Sequence, residues 1–150
     1  MKALHKLRTA AVAAALVGLA SLGGTANATE GPQGGGPGPQ HHVTCGWDES
    51  VPAPYSVGTD VVRGMVRVKC SDRLDKANTQ VQVQVLDGGQ WWDRGEEVIS
   101  HNTQKVIQVN DDTTKLPGVC LYRTEGTHFG QHGNIWTLST FYSRTQYLTG

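Results

Sequence analysis

Gln80-Val81-Gln82-Val83-Gln84-Val85 alternates apolar and polar residues without a break. In an extended chain Val81, Val83 and Val85 share one side and the three glutamines share the other, the pattern of a strand with one buried face. The same period recurs on both sides. Val62, Val66, Val68 and Cys70 form a second inward row, with Arg63, Met65, Arg67 and Lys69 pointing outward. Val106-Ile107-Gln108-Val109 is a third strand whose inward face the pattern leaves open. Val119, Leu121 and Arg123 alternate with Cys120, Tyr122 and Thr124 in a fourth. Trp136, Leu138, Thr140 and Tyr142 alternate with Ile135, Thr137, Ser139 and Phe141 in a fifth, and weaker segments lie near 43–48, 55–59 and 96–101. Asp87-Gly88-Gly89 has hairpin-turn chemistry, and Pro117-Gly118 precedes the Cys120 strand. Asn110-Asp111-Asp112 closes the third strand, and residues 130–134 form a loop before the last. Seven or eight short strands at this spacing predict an all-β fold without helix, an antiparallel immunoglobulin-like β-sandwich over residues 43–150.

The first 28 residues read differently. Lys2, Lys6 and Arg8 make a basic start, an Ala/Val/Leu run follows, and Thr25-Ala26-Asn27-Ala28 places small residues where a signal peptidase cuts. Gly18, Ser21, Gly23 and Gly24 interrupt the run, which falls short of the roughly 20 apolar residues that span a bilayer. Residues 1–28 are therefore expected to be a cleaved signal peptide, and the mature protein to be secreted to the extracellular space, with no membrane span. Cleavage removes three of 13 basic residues and none of the 13 acidic ones, so the formal charge moves from 0 to −3. A mildly acidic chain with dispersed arginines lacks the clustered positive charge that nucleic acid requires.

Residues 29–42, Thr-Glu-Gly-Pro-Gln-Gly-Gly-Gly-Pro-Gly-Pro-Gln-His-His, carry no aliphatic or large aromatic side chain. Such a segment does not offset its own ordering entropy and is expected to be a flexible arm. It is either a spacer left by signal cleavage or a segment that orders on a partner, with His41, His42 and Val43 as contact positions.

Chemistry-bearing residues are scattered. His128 and His132 have a three-residue gap that would align them on a helix, but Gly130 and Gly133 point to a loop, with Asp111, Asp112 or Glu125 as conceivable carboxylate companions. Ordinary loop polarity is the preferred explanation of them, since loops are normally polar and exposed. Asp93, Glu96 and Glu97 follow Trp91-Trp92, a pairing of aromatics and acids found in sugar clefts, and a glycosidase needs two carboxylates about 5–10 Å apart. Adjacent strand residues face opposite ways, so one tryptophan is expected in the core and the other exposed as a partner contact. Glu125 with His128 and Arg123 is the remaining acid–base candidate. There is no nucleophile-elbow glycine pattern, no cofactor motif and no Cys/His metal spacing, so the reading is non-enzymatic.

Cys45, Cys70 and Cys120 form an odd set, and an oxidising compartment favours one disulfide. Cys70 ends an inward row and Cys120 lies on a strand 50 residues on. If Cys120 also points inward, a Cys70–Cys120 bridge would pin the two sheets together, which is the preferred pairing. Cys45–Cys70 follows instead if their strands adjoin, and Cys45–Cys120 is the third possibility.

Val43-Thr44-Cys45, the row from Val61 to Cys70, Val81 to Val85, and Gly118-Val119-Cys120-Leu121-Tyr122-Arg123-Thr124 together resemble small exported β-sandwich proteins of filamentous actinobacteria. Within that group the chain is similar to the adaptor subunit of secreted umbrella-shaped antibacterial toxin particles. The resemblance implies a non-catalytic sandwich that joins a lectin-bearing subunit to a large repeat-containing toxin scaffold, partly through an extended N-terminal segment. No apolar anchor precedes Val43, so insertion of the arm would require Val43 itself to dock. The alternatives are a secreted inhibitor of a hydrolase, presenting a rigid loop at 87–95 or 126–134, and a small hydrolase using Glu125 and His128.

Overall fold

The computed structural model describes residues 42–150. The signal at 1–28, the arm up to Gln40, and His41 lie outside the described residues. Nine strands follow in order: β1 (Cys45–Trp47), β2 (Tyr55–Val57), β3 (Val61–Cys70), β4 (Lys76–Asp87), β5 (Gln90–Ser100), β6 (Val106–Thr114), β7 (Val119–His132), β8 (Asn134–Tyr142) and β9 (Gln146–Thr149). No helix occurs among the described residues. All pairings are antiparallel. β3 is flanked by β6 on one side and by β1 and β2, end to end, on the other. The second sheet runs β5-β4-β7, and β8 and β9 share the far side of β7. Two broken edges therefore turn nine strands into seven ranks, which is the sandwich expected from the sequence.

The valine row decides the layering. Val81, Val83 and Val85 are buried and meet Val62, Val66 and Val68 of the opposing sheet. Ile107 and Val109 resolve the open face of the third strand by pointing inward. Asp87-Gly88-Gly89-Gln90 is a two-residue hairpin with φ of 57° at Gly88 and 81° at Gly89. Two consecutive positive φ values are what a type I′ turn demands, and glycine adopts them without strain. Tyr122, fully buried at the start of β7, accepts a 2.8 Å hydrogen bond from the Leu116 backbone N–H. That is the arrangement of the tyrosine corner of immunoglobulin-like sandwiches.

The disulfide expectation is overturned. Cys45 pairs with Cys70, directly opposed on β1 and β3 with Cα atoms 4.0 Å apart, and Cys120 is free. Cys120 does point inward, but it packs at the Val62 end of the sandwich. Cys70 lies eight residues along β3 from Val62, about 26 Å at strand rise. Where antibody domains place the inter-sheet cysteine, two residues after the corner tyrosine, this chain has Thr124. A Cβ added to Gly64 across the layer would lie 2.7 Å from the Thr124 Oγ1, so the sheets meet there too closely for two side chains of any size.

Two further expectations change. The chain over 130–132 is still β7, and the turn contracts to Gly133 with φ 68°. The segments 87–95 and 126–134 are accordingly a tight hairpin with an exposed tip and a paired strand, rather than long loops. Val43 is a core residue, 1% exposed, with its N–H 3.3 Å from Asn134 Oδ1, so its surface is already spent on the domain.

Candidate binding surface

The outer face of the five-stranded sheet follows from the register, because directly opposed residues of an antiparallel pair share a face. Trp91, Leu86, Leu121 and Tyr147 form one row across β5, β4, β7 and β9. Asp93, Gln84 and Arg123 form the next, and Gln82, Glu125 and Tyr142 the third. Ile99, Gln80 and Thr127 form the fourth. An apolar, aromatic band thus borders a polar one.

Arg123 joins the bands. Its guanidinium carbon lies 4.3 Å from the Trp91 ring centroid and 4.0 Å from that of Tyr142, clasped between two aromatic faces. Its Nε donates to Gln84 Oε1 at 2.7 Å, and Gln84 Nε2 in turn donates to Asp93 Oδ1 at 2.8 Å and to Glu125 Oε2. Gln84 thereby has both ends of its amide engaged, which permits its burial on an otherwise wet face. The Thr127 hydroxyl donates to Gln80 Oε1 at 2.6 Å. Around the stack, Tyr142, Tyr147 and Val119 are 49%, 64% and 68% exposed.

A bulge shapes the polar side. The register between β4 and β5 shifts between Val81 and Val83, with Gly95 at φ 71° in the extra turn of chain. Gln82 Nε2 donates to the carbonyls of Arg94 at 2.8 Å and Gly95 at 3.2 Å. From inside, Asp111 accepts the freed Val83 N–H at 2.6 Å, and its burial raises its pKa. The result is a shallow cleft lined by Gln80, Gln82, Asp93, Glu97, Glu125 and Thr127. Bulges commonly re-aim side chains at functional sites in this way.

The structure separates the remaining candidates. Trp91 lies on the outer face under Arg123 and is not in the core. Trp92 is opposed to Val85, so its register faces the sandwich, yet it is 56% exposed because β5 is an edge. The expectation of one core tryptophan therefore fails: alternation assigns a face but not a cover. His42 is exposed at the start of the described chain. His128, 2% exposed, is inside, its Nδ1 2.8 Å from the Thr79 hydroxyl and its ring edge-on to Trp47. Glu125 is on the outer face, three residues away and through the sheet, so the Glu125–His128 hydrolase pair is not assembled. Asp112 is held by Arg63 at 2.6 Å on the other sheet, and Asp111 is spent on Val83, so neither joins the histidines. Tyr142 and Gln84 were missed as site residues. The alternation of β8 contained the signal for Tyr142, but a register shift between Gly126 and His128 changes its phase.

No family model matches the chain, and no curated protein matches it. Among solved structures it is similar to a Br derivative of BhCBM56, at 14% identity and a TM-score of 0.31 over 61% of this chain and 89% of that one. A likeness of that size carries no argument about function.

Proposed function

We propose that this domain is a secreted, non-enzymatic binding module whose working surface is the outer face of the β5-β4-β7-β8/β9 sheet, and that its partner is a protein. The observation that carries the reading is Arg123 held between Trp91 and Tyr142 beside exposed Tyr147 and Val119. Trp, Tyr and Arg are the residue types that dominate protein interfaces, and a contiguous exposed apolar patch marks a contact surface. The stack is pre-ordered by Gln84, so little side-chain entropy is lost on docking. Asp93, Glu97 and Glu125 beside it favour a partner with basic groups facing them. The Cys45–Cys70 disulfide fits an oxidising compartment and hence export. On the resemblance to umbrella-toxin adaptors, the partners are a repeat-containing toxin scaffold and a lectin-bearing subunit, with the 29–42 arm adding a second contact.

The test is co-purification from the native culture supernatant. A large secreted repeat protein should accompany the wild-type chain and be lost with Arg123→Glu while the domain stays folded. A purified monomer with nothing attached, or equal recovery with the variant, overturns the reading. A saccharide is the second reading, favoured by the Gln80, Gln82, Asp93 and Glu125 side chains lining a cleft next to an exposed tyrosine ring. Retention on polysaccharide that is lost in Tyr142→Ala, with no protein recovered, would select it.

A further inference from the structure

A different cluster lies between the sheets at the opposite end from Cys120. The Cys45 and Cys70 sulfurs and a ring nitrogen of His128 all lie within 4.8 Å of one another, contributed by β1, β3 and β7. His128 is buried, and Thr79 engages Nδ1. Its Nε2 is enclosed with no hydrogen-bond partner. A buried, unpaired ring nitrogen is costly and asks for an explanation. Histidines that bind metals are built this way, with one nitrogen fixed by a neighbour and the other left for the ion.

The geometry points to a zinc site formed by Cys45, Cys70 and His128 when the disulfide is reduced, so that bridge and metal are mutually exclusive states of one cluster. The balance is simple. A dithiol reductant passes two electrons and two protons to the Cys45–Cys70 bond, giving two thiols while it closes to its own disulfide. Zinc then displaces both thiol protons to solvent. Two thiolates, one neutral imidazole and a divalent ion sum to zero charge, which suits a site largely out of water. A monovalent soft ion such as Cu(I) would leave a buried negative charge. Donors around tetrahedral zinc stand about 3.5 Å apart, given Zn–S near 2.3 Å and Zn–N near 2.0 Å, so side-chain rotation suffices to reach them. Cys70 is the less buried cysteine, and a water entering from its side would fill the fourth position. Burial also keeps the His128 ring neutral, the form that binds metal.

The experiment uses the full chain carrying Cys120→Ala, reduced anaerobically and freed of reductant. Zinc is titrated against a chromophoric chelator, with Co2+ as an optical probe of thiolate ligation. The reduced protein should bind one equivalent with a thiolate–cobalt band, and the oxidised protein, which retains the same arm histidines, should not. His128→Gln should weaken binding at least tenfold, and Thr79→Val by about 10–100-fold. Equal binding by oxidised and reduced forms, or full affinity in His128→Gln, overturns the proposal. If reduction unfolds the chain, zinc should restore the folded tryptophan fluorescence, and failure to do so also overturns it.

Discussion

Acidification should weaken this fold through His128. Burial lowers its pKa from 6.5 to about 4. The neutral ring is favoured in the folded protein, so the stability it contributes is complete above pH 6.5. As pH falls, the unfolded chain takes up a proton near 6.5 while the folded one resists until about 4, and stability is lost across that window. Integrating the two titrations gives a loss of about 1 kcal/mol between pH 7 and 5.5 and about 3 kcal/mol between pH 7 and 4. Asp48, held well below the usual carboxylate range by Ser50 and Lys69, loses stabilisation only as pH drops below 3.8. Asp111 acts in the opposite sense: its raised pKa means its contribution is fullest below 3.8 and is lost as pH rises. Asp111 titrates alike in the wild type and in a His128 variant, so the difference between the two over pH 7 to 5.5 isolates the histidine. Urea unfolding followed by tryptophan fluorescence should show stability falling across that interval in the wild type by about 1 kcal/mol more than in His128→Gln. A variant that moves equally refutes the assignment of a buried neutral imidazole.

Replacing Cys45 and Cys70 with alanine frees a 25-residue separation, which the chain-entropy estimate values at about 3.5 kcal/mol; urea melts should show that loss, and peptide mapping without reduction should recover the Cys45–Cys70 pair with Cys120 unlinked. Gly64→Ala sets a methyl 2.7 Å from both Thr124 Oγ1 and Val83 Cγ2. Overpacking of this kind costs about 1–3 kcal/mol, so a thermal melt equal to wild type would contradict the close approach of the sheets.

The fold was legible because its deciding signals are local. Alternation in Gln80–Val85 needs no knowledge of the partner strand, and Asp87-Gly88-Gly89 specifies its turn by backbone chemistry alone. The disulfide was not legible, because which strands adjoin, and which end of the sandwich each cysteine occupies, are non-local facts. Cys120 has the inward face expected of it and still cannot reach Cys70. The binding face was half legible. Trp91 stood out as a residue type, but its partner Arg123 is contributed by β7 and Tyr142 by β8, and the bulges at Val81/Val83 and Gly126/His128 shift the phase that would have aligned them. That neither Trp91 nor Trp92 enters the core was missed for a related reason: an edge strand can turn a side chain toward the core and leave it uncovered.

The Arg123 stack and the aromatic band beside it form the proposed docking surface. Covalent labelling of tyrosines in the free protein and in the complex recovered from culture supernatant tests it directly. Tyr142 and Tyr147 should lose their reactivity on complex formation, while Tyr55, on the other sheet, keeps its own. Unchanged labelling of Tyr142 and Tyr147 in a verified complex would place the interface elsewhere on the domain.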